Sequence, residues 1–136
     1  MRSKSDFLTI AKFFIFPIFI YLFNYVLLFL GGYDNWPKIG MLMHFIGGIS
    51  VGSAFFLTLK YLQDKDYLRM NKFFLIFFVV SLVSLTAISW EFYQFTFDYL
   101  FGTYLLGTLE DTLLDLFLGI FGGLSISIFL GLKYRT

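Results

Sequence analysis

Apolar residues fill long stretches of this chain, and polar residues interrupt it in only a few places. Phe13 to Tyr33 runs for 21 residues without a charge, and Ile39 to Leu59 runs for another 21 with His44 as the sole ionisable group. Phe73 to Trp90 adds 18 uncharged residues before Glu91, and Leu116 to Leu132 adds 17 after Asp115. A helix rises about 1.5 Å per residue and satisfies its own backbone, so roughly 20 residues cross a hydrocarbon core of about 30 Å. The pattern predicts an all-α, integral membrane four-helix bundle with spans at about residues 11–32, 38–60, 72–97 and 105–132. The connectors are short and rich in turn formers: Gly31 to Pro37, Gln63 to Asp66, and Asp98 to Gly107. One transmembrane domain over residues 1–136 is the expected organisation.

Basic residues give the bundle a direction, because cytoplasmic flanks collect Lys and Arg. Arg2, Lys4 and Lys12 precede the first span; Lys60, Lys65, Arg69 and Lys72 surround the second connector; Lys133 and Arg135 close the chain. Lys38 alone falls on the opposite side. The expected arrangement is a multi-pass protein of the cell membrane with both termini cytoplasmic and the connectors around Asp34 and Asp98 outside. The first apolar run exceeds the 7 to 15 residues of a signal peptide core and lacks a small-residue cleavage site, so it is expected to stay attached.

Composition narrows the function further. Of 136 residues, 59% are hydrophobic, 24% aromatic and only 14% charged, against about 25% charged in ordinary soluble domains. The net charge of +1 suggests no nucleic-acid partner, and membrane lipids are the expected one. The chain has no cysteine, which removes disulfides, thiolate metal sites and thiol nucleophiles. Any chemistry must come from a handful of ionisable side chains.

Those side chains converge at one depth. Counting at about 1.5 Å per residue from Lys60, Lys72 and Lys133, His44, Glu91 and Asp115 stand roughly 24, 28 and 27 Å from the basic side, and Asp111 one turn farther. The helical faces agree as well. His44, Gly48 and Gly52 are spaced by four, as are Asp111, Asp115, Gly119 and Gly123, while Ser81, Ser84 and Ile88 lie below Glu91 at steps of three or four. Small residues mark where membrane helices approach closely, and intramembrane charges point inward. A polar pocket opening outward follows, lined by His44, Glu91, Asp111 and Asp115. Gly48 to Gly52 and Gly119 to Gly123 are packing motifs on faces that could also support a homo-oligomer.

One imidazole and several carboxylates suit a divalent metal such as zinc, manganese, iron or magnesium, with His44, Glu91, Asp111 and Asp115 as the expected metal-ligating and catalytic residues and Asp111 and Asp115, one turn apart, as a chelating pair. The same groups could act without metal, with His44 as a general base or two carboxylates sharing a proton. Each also has a structural reading. Thr108 to Asp111 has the form of a capping box, with Glu110 and Asp111 facing the helix dipole, and His44 could be a hydrogen-bonded packing residue. Phenylalanine excess reads as lipid-facing bulk, and Trp36, Tyr33 and Tyr99 as interfacial anchors. Asn24 and Tyr21 are placed as interhelical hydrogen-bonding residues with no chemistry assigned.

Read in order, His44-Phe45-x-Gly47-Gly48, Trp90-Glu91-x-x-Gln94, and Asp111-Thr112-x-x-Asp115 with Gly119 and Gly122-Gly123 resemble the VanZ-like and YjdF-like small multipass membrane proteins. Gly119 stands where VanZ-like proteins often carry an asparagine, so the chain is more similar to the YjdF-like pattern. The resemblance implies an integral membrane protein whose founding relative is linked to teicoplanin resistance, with no settled reaction. The expected function is a His/carboxylate pocket at the outer membrane boundary that binds a divalent cation or proton and acts on, or holds, a lipid or envelope head group. The alternative is a non-enzymatic transporter element or an oligomeric scaffold. Neither enzymatic activity nor substrate identity follows from these residues.

Overall fold

The computed structural model describes residues 4–36 and 38–134. Arg2, Pro37 and Arg135, which enter the charge and connector arguments above, lie outside the described residues. The described chain is helical throughout, without strands: α1 (Lys4–Phe13), α2 (Ile15–Phe29), α3 (Gly32–Asn35), α4 (Ile39–Asp64), α5 (Lys72–Phe101) and α6 (Leu109–Lys133). Three of these, α4, α5 and α6, are each long and apolar enough to cross a membrane.

The expected first span is not one straight rod. It is divided into α1 and α2, which meet at an angle of 43° and qualify as a span only when taken together. Pro17 accounts for the break. A proline cannot donate to the carbonyl four residues back, and its ring clashes with it. That carbonyl belongs to Phe13, the last residue of α1. Around it the ladder tightens, with Phe14 N donating to Ala11 O at 3.1 Å.

The other ends are set by local chemistry. Asn71 caps α5 by accepting from Phe74 N at 3.0 Å. At the far end of α5, Gly102 takes the left-handed conformation (φ 66°) and closes the helix on the Asp98 carbonyl. The expected third span therefore extends past Asp98, which lies in the last turn rather than in the connector. Thr108 and Asp111 form the expected capping box of α6.

Short connectors make α4, α5 and α6 alternate in direction, with the α4–α5 connector and Lys133 at a basic end. The most extensive helix contact is between α4 and α6. It is built on glycine: a Cβ on Gly48 would run into the Gly119 carbonyl, one on Gly122 into the Phe45 carbonyl, and one on Gly52 would lie 3.0 Å from Gly123 Cα. In the single chain, the glycine stripes thus meet each other. Towards the basic end Phe56, Leu75, Val79 and Val83 complete a fully buried cluster. Small residues dominate the rest of the interior, whereas Phe56 is the only buried phenylalanine among the described residues. Large side chains outside and small ones inside is the packing expected where lipid, not water, is the surrounding solvent.

α2 lies against α4 and reaches α5 through long aromatic side chains. Tyr25 and Tyr93 share a hydrogen bond of 2.6 Å between their hydroxyls, and Tyr21 meets the Trp90 ring edge-on at 5.7 Å. At the basic end, the buried Asp6 carboxylate accepts from Tyr61 Oη at 2.8 Å and Tyr67 Oη at 2.9 Å. This fastens α1 to α4 and to the connector that follows it.

Candidate functional site

Gly48, Ala87 and Gly119 bring three helices to one point. Besides the Gly48 to Gly119 contact, a Cβ on Gly119 would stand 3.7 Å from Ala87 Cβ. One turn away from that point, towards the end opposite the basic residues, are His44 on α4, Glu91 on α5 and Asp115 on α6. The absence of bulk beneath them is what lets three side chains from three helices meet.

His44 bridges the two acids. Its Nδ1 lies 3.9 Å from Glu91 Oε1, and its Nε2 lies 3.4 Å from Asp115 Oδ2. One donor atom from each residue can be chosen so that all three lie within 4.8 Å of one another. Both imidazole separations exceed a normal hydrogen bond of about 2.7–3.2 Å. The Glu91 residue is only 7% exposed, and neither of its carboxylate oxygens has a hydrogen-bond partner among the described residues. A buried carboxylate in that position is suited to a proton, a cation or an ordered water as its partner, any of which would offset its desolvation.

Asp111 is held differently. Its Oδ2 accepts from Thr108 N at 3.1 Å and from Thr108 Oγ1 at 2.7 Å, while its own N–H donates back to Thr108 Oγ1 at 3.2 Å. It stays at the helix start, one turn from Asp115, and is not part of the three-residue group that could hold a metal. Of the four candidate residues, the fold brings His44, Glu91 and Asp115 together and places Asp111 beside them. Glu110 is exposed.

His44 lines two cavities. One, of about 320 Å³, runs towards the basic end among Met43, Gly47, Val51, Val83 and Ala87. The other, of about 340 Å³, lies on the opposite side and is lined by Tyr25, Tyr33, Tyr93, Tyr104, Asp111 and Asp115. Asn24, His44 and Trp90 border both. Tyr33 Oη donates to Asn24 Oδ1, so a residue read from sequence as an interfacial anchor points inward, and Asn24 belongs to the site wall. The available signal was Asn24 itself, an amide in an otherwise apolar run.

The second cavity has a fixed roof. Asp98 accepts from Thr103 Oγ1 at 2.5 Å, Leu105 N at 2.8 Å and Leu106 N at 2.9 Å, and Gln94 Nε2 donates to Leu105 O at 3.1 Å. Asp98 and Gln94 therefore hold the 102–107 connector over the chamber.

Long apolar helices and a glycine-packed interior describe a membrane protein, and comparison with protein families agrees. The family described as "Predicted membrane protein (DUF2238)" matches residues 6–136. The chain belongs to this family. The match starts in α1 and covers every candidate site residue, so the His44, Glu91 and Asp115 cluster lies within the DUF2238 unit. No curated protein and no solved structure matches the chain.

Proposed function

We propose that His44, Glu91 and Asp115 hold a divalent cation or share a proton at the outer boundary of the cell membrane, where the site binds or acts on a lipid or cell-envelope head group. The observation that carries this reading is the buried Glu91 carboxylate, whose two oxygens have no hydrogen-bond partner among the described residues, beside an imidazole and a second acid. One nitrogen and two carboxylates suit zinc, manganese, iron or magnesium, and three protein ligands leave coordination positions for water or substrate. A metal here would supply Lewis-acid polarisation of a head-group oxygen. His44 would position or move a proton, and Asp111 would stay with its cap and face the head group from one turn away.

The distribution of basic residues favours this end lying outside and both termini in the cytoplasm, with the chain as one four-span domain in which α1 and α2 form a bent first crossing. The ordered His, Glu and Asp motifs favour a VanZ-like, and more closely a YjdF-like, relationship within the predicted membrane protein family. A transporter role finds less support. Ser50, Ser81, Ser84 and Ser127 all spend their hydroxyls on backbone carbonyls of their own helix. From the site towards the basic end, the apolar runs of α4, α5 and α6 carry no Asp, Glu, His, Lys or Arg.

Elemental analysis of the purified protein tests the cation reading. Wild type should retain, or take up, about one divalent ion per chain. His44→Ala and Asp115→Asn should express and fold but bind that ion at least about tenfold more weakly, because each removes a direct ligand. If both variants bind metal as tightly as wild type, the ligand assignment is wrong. If wild type binds none and no divalent ion raises its thermal stability, the metal reading fails and the shared proton is left.

A further inference from the structure

Gly47 sets apart one part of the α4 glycine pattern. A Cβ on Gly48 or Gly52 would strike α6, but a Cβ on Gly47 would meet nothing within 4 Å. No helix contact requires this residue to lack a side chain. Gly47 instead lines the apolar cavity, one turn from His44, and its missing side chain keeps that cavity wide. The two cavities have opposite chemistry and share His44, Asn24 and Trp90 in their walls.

We propose that the two chambers form one binding channel for a single-chain amphiphile with an amine-bearing head group. Its hydrocarbon chain lies in the apolar chamber past Gly47, and its head group lies in the tyrosine-lined chamber. The bond between them sits beside His44. About 320 Å³ is at the lower end of the range for small-ligand pockets, roughly 300–1,000 Å³, which favours one chain over a pair.

Charge selects the head group. Asp111 and Asp115 face the outer chamber, and no Lys or Arg lines either cavity among the described residues. Glu91 adds a third carboxylate beside the chamber, and no cationic side chain lines it to balance these acids among the described residues. A head group whose only charge is negative finds no cationic side chain there. An ammonium group is attracted by the carboxylates and by the faces of Tyr25, Tyr33, Tyr93 and Tyr104. The inference deepens the proposed head-group site, but the chain-binding chamber does not depend on a metal being present.

Trp90 borders both chambers, and replacing Trp36 with Phe leaves it as the single tryptophan. The experiment titrates this W36F protein, in detergent micelles, with lysophosphatidylethanolamine carrying a brominated chain. Non-brominated lipid serves as competitor. Saturable, competable quenching of Trp90 is expected. Gly47→Phe, and separately Thr86→Leu from the α5 side of the same cavity, should weaken it at least tenfold, whereas Gly47→Ala should stay within about threefold. Elemental analysis of each variant should match wild type. Brominated lysophosphatidylglycerol should bind at least tenfold more weakly than the amine-bearing lipid.

Quenching that is unsaturable, or unchanged in both folded cavity-filling variants, overturns the channel. Equal binding of the two lipids overturns the amine assignment. Wild-type protein that binds the lipid but no divalent ion leaves the channel standing and overturns the cation reading instead.

Discussion

Replacing Gly48 with alanine tests the contact on which the site stands. The added methyl would occupy the place of the Gly119 carbonyl and sit 3.0 Å from Gly119 Cα, against about 3.5–4.0 Å for an ordinary carbon contact. The obstruction is backbone on both sides, so no side chain can rotate away. The Gly119 carbonyl oxygen would be closer still, so α4 and α6 must part by more than about 1 Å, an overpacking that costs about 1–3 kcal/mol or more. His44 and Asp115 lie one turn above this contact, and their separation of 3.4 Å should grow with it. Such a displacement exceeds the roughly 0.5 Å tolerance within which a functional constellation must be held.

Gly47→Ala is the matched control, one residue away on the same helix with open space around the new methyl. Alanine there should be neutral or stabilising by up to about 1 kcal/mol, from helix propensity alone. The assay is reversible unfolding in mixed micelles. It is combined with a spin-label distance between α4 and α6 at introduced cysteines, which the cysteine-free chain permits. Gly48→Ala should unfold at lower denaturant, with the labels farther apart. Equal stability and unchanged distance for both variants would refute the close-approach reasoning.

Two further outcomes follow from other parts of the fold. Asp111→Ala removes one half of the α6 capping box and should cost about 0.5–2 kcal/mol of stability, while metal content stays at the wild-type level; loss of metal would return Asp111 to the ligand set. Pro17→Ala restores a donor opposite the Phe13 carbonyl and should reduce the 43° bend between α1 and α2. Spin labels on the two helices should move apart, and an unchanged distance would assign the bend to tertiary packing instead.

Much of the molecule was legible along the chain because hydropathy, proline chemistry and helical period act over a few residues at a time. The long apolar helices, the capping box at Thr108, the inward-facing glycine stripes and the common depth of His44, Glu91 and Asp115 all follow from local rules. Tertiary structure alone decided which candidates share a centre. Asp111 and Asp115 occupy the same face one turn apart, and the local cap at Thr108 left open whether Asp111 also joins the centre; packing brings only Asp115 to His44. Likewise, Gly47 and Gly48 are chemically identical neighbours, but only Gly48 carries a helix crossing. The reason is geometric: period specifies a stripe, whereas the point along that stripe where two helices touch depends on every side chain packed between them. The two chambers at His44 are spaces left by that packing, bordered by residues from distant parts of the chain.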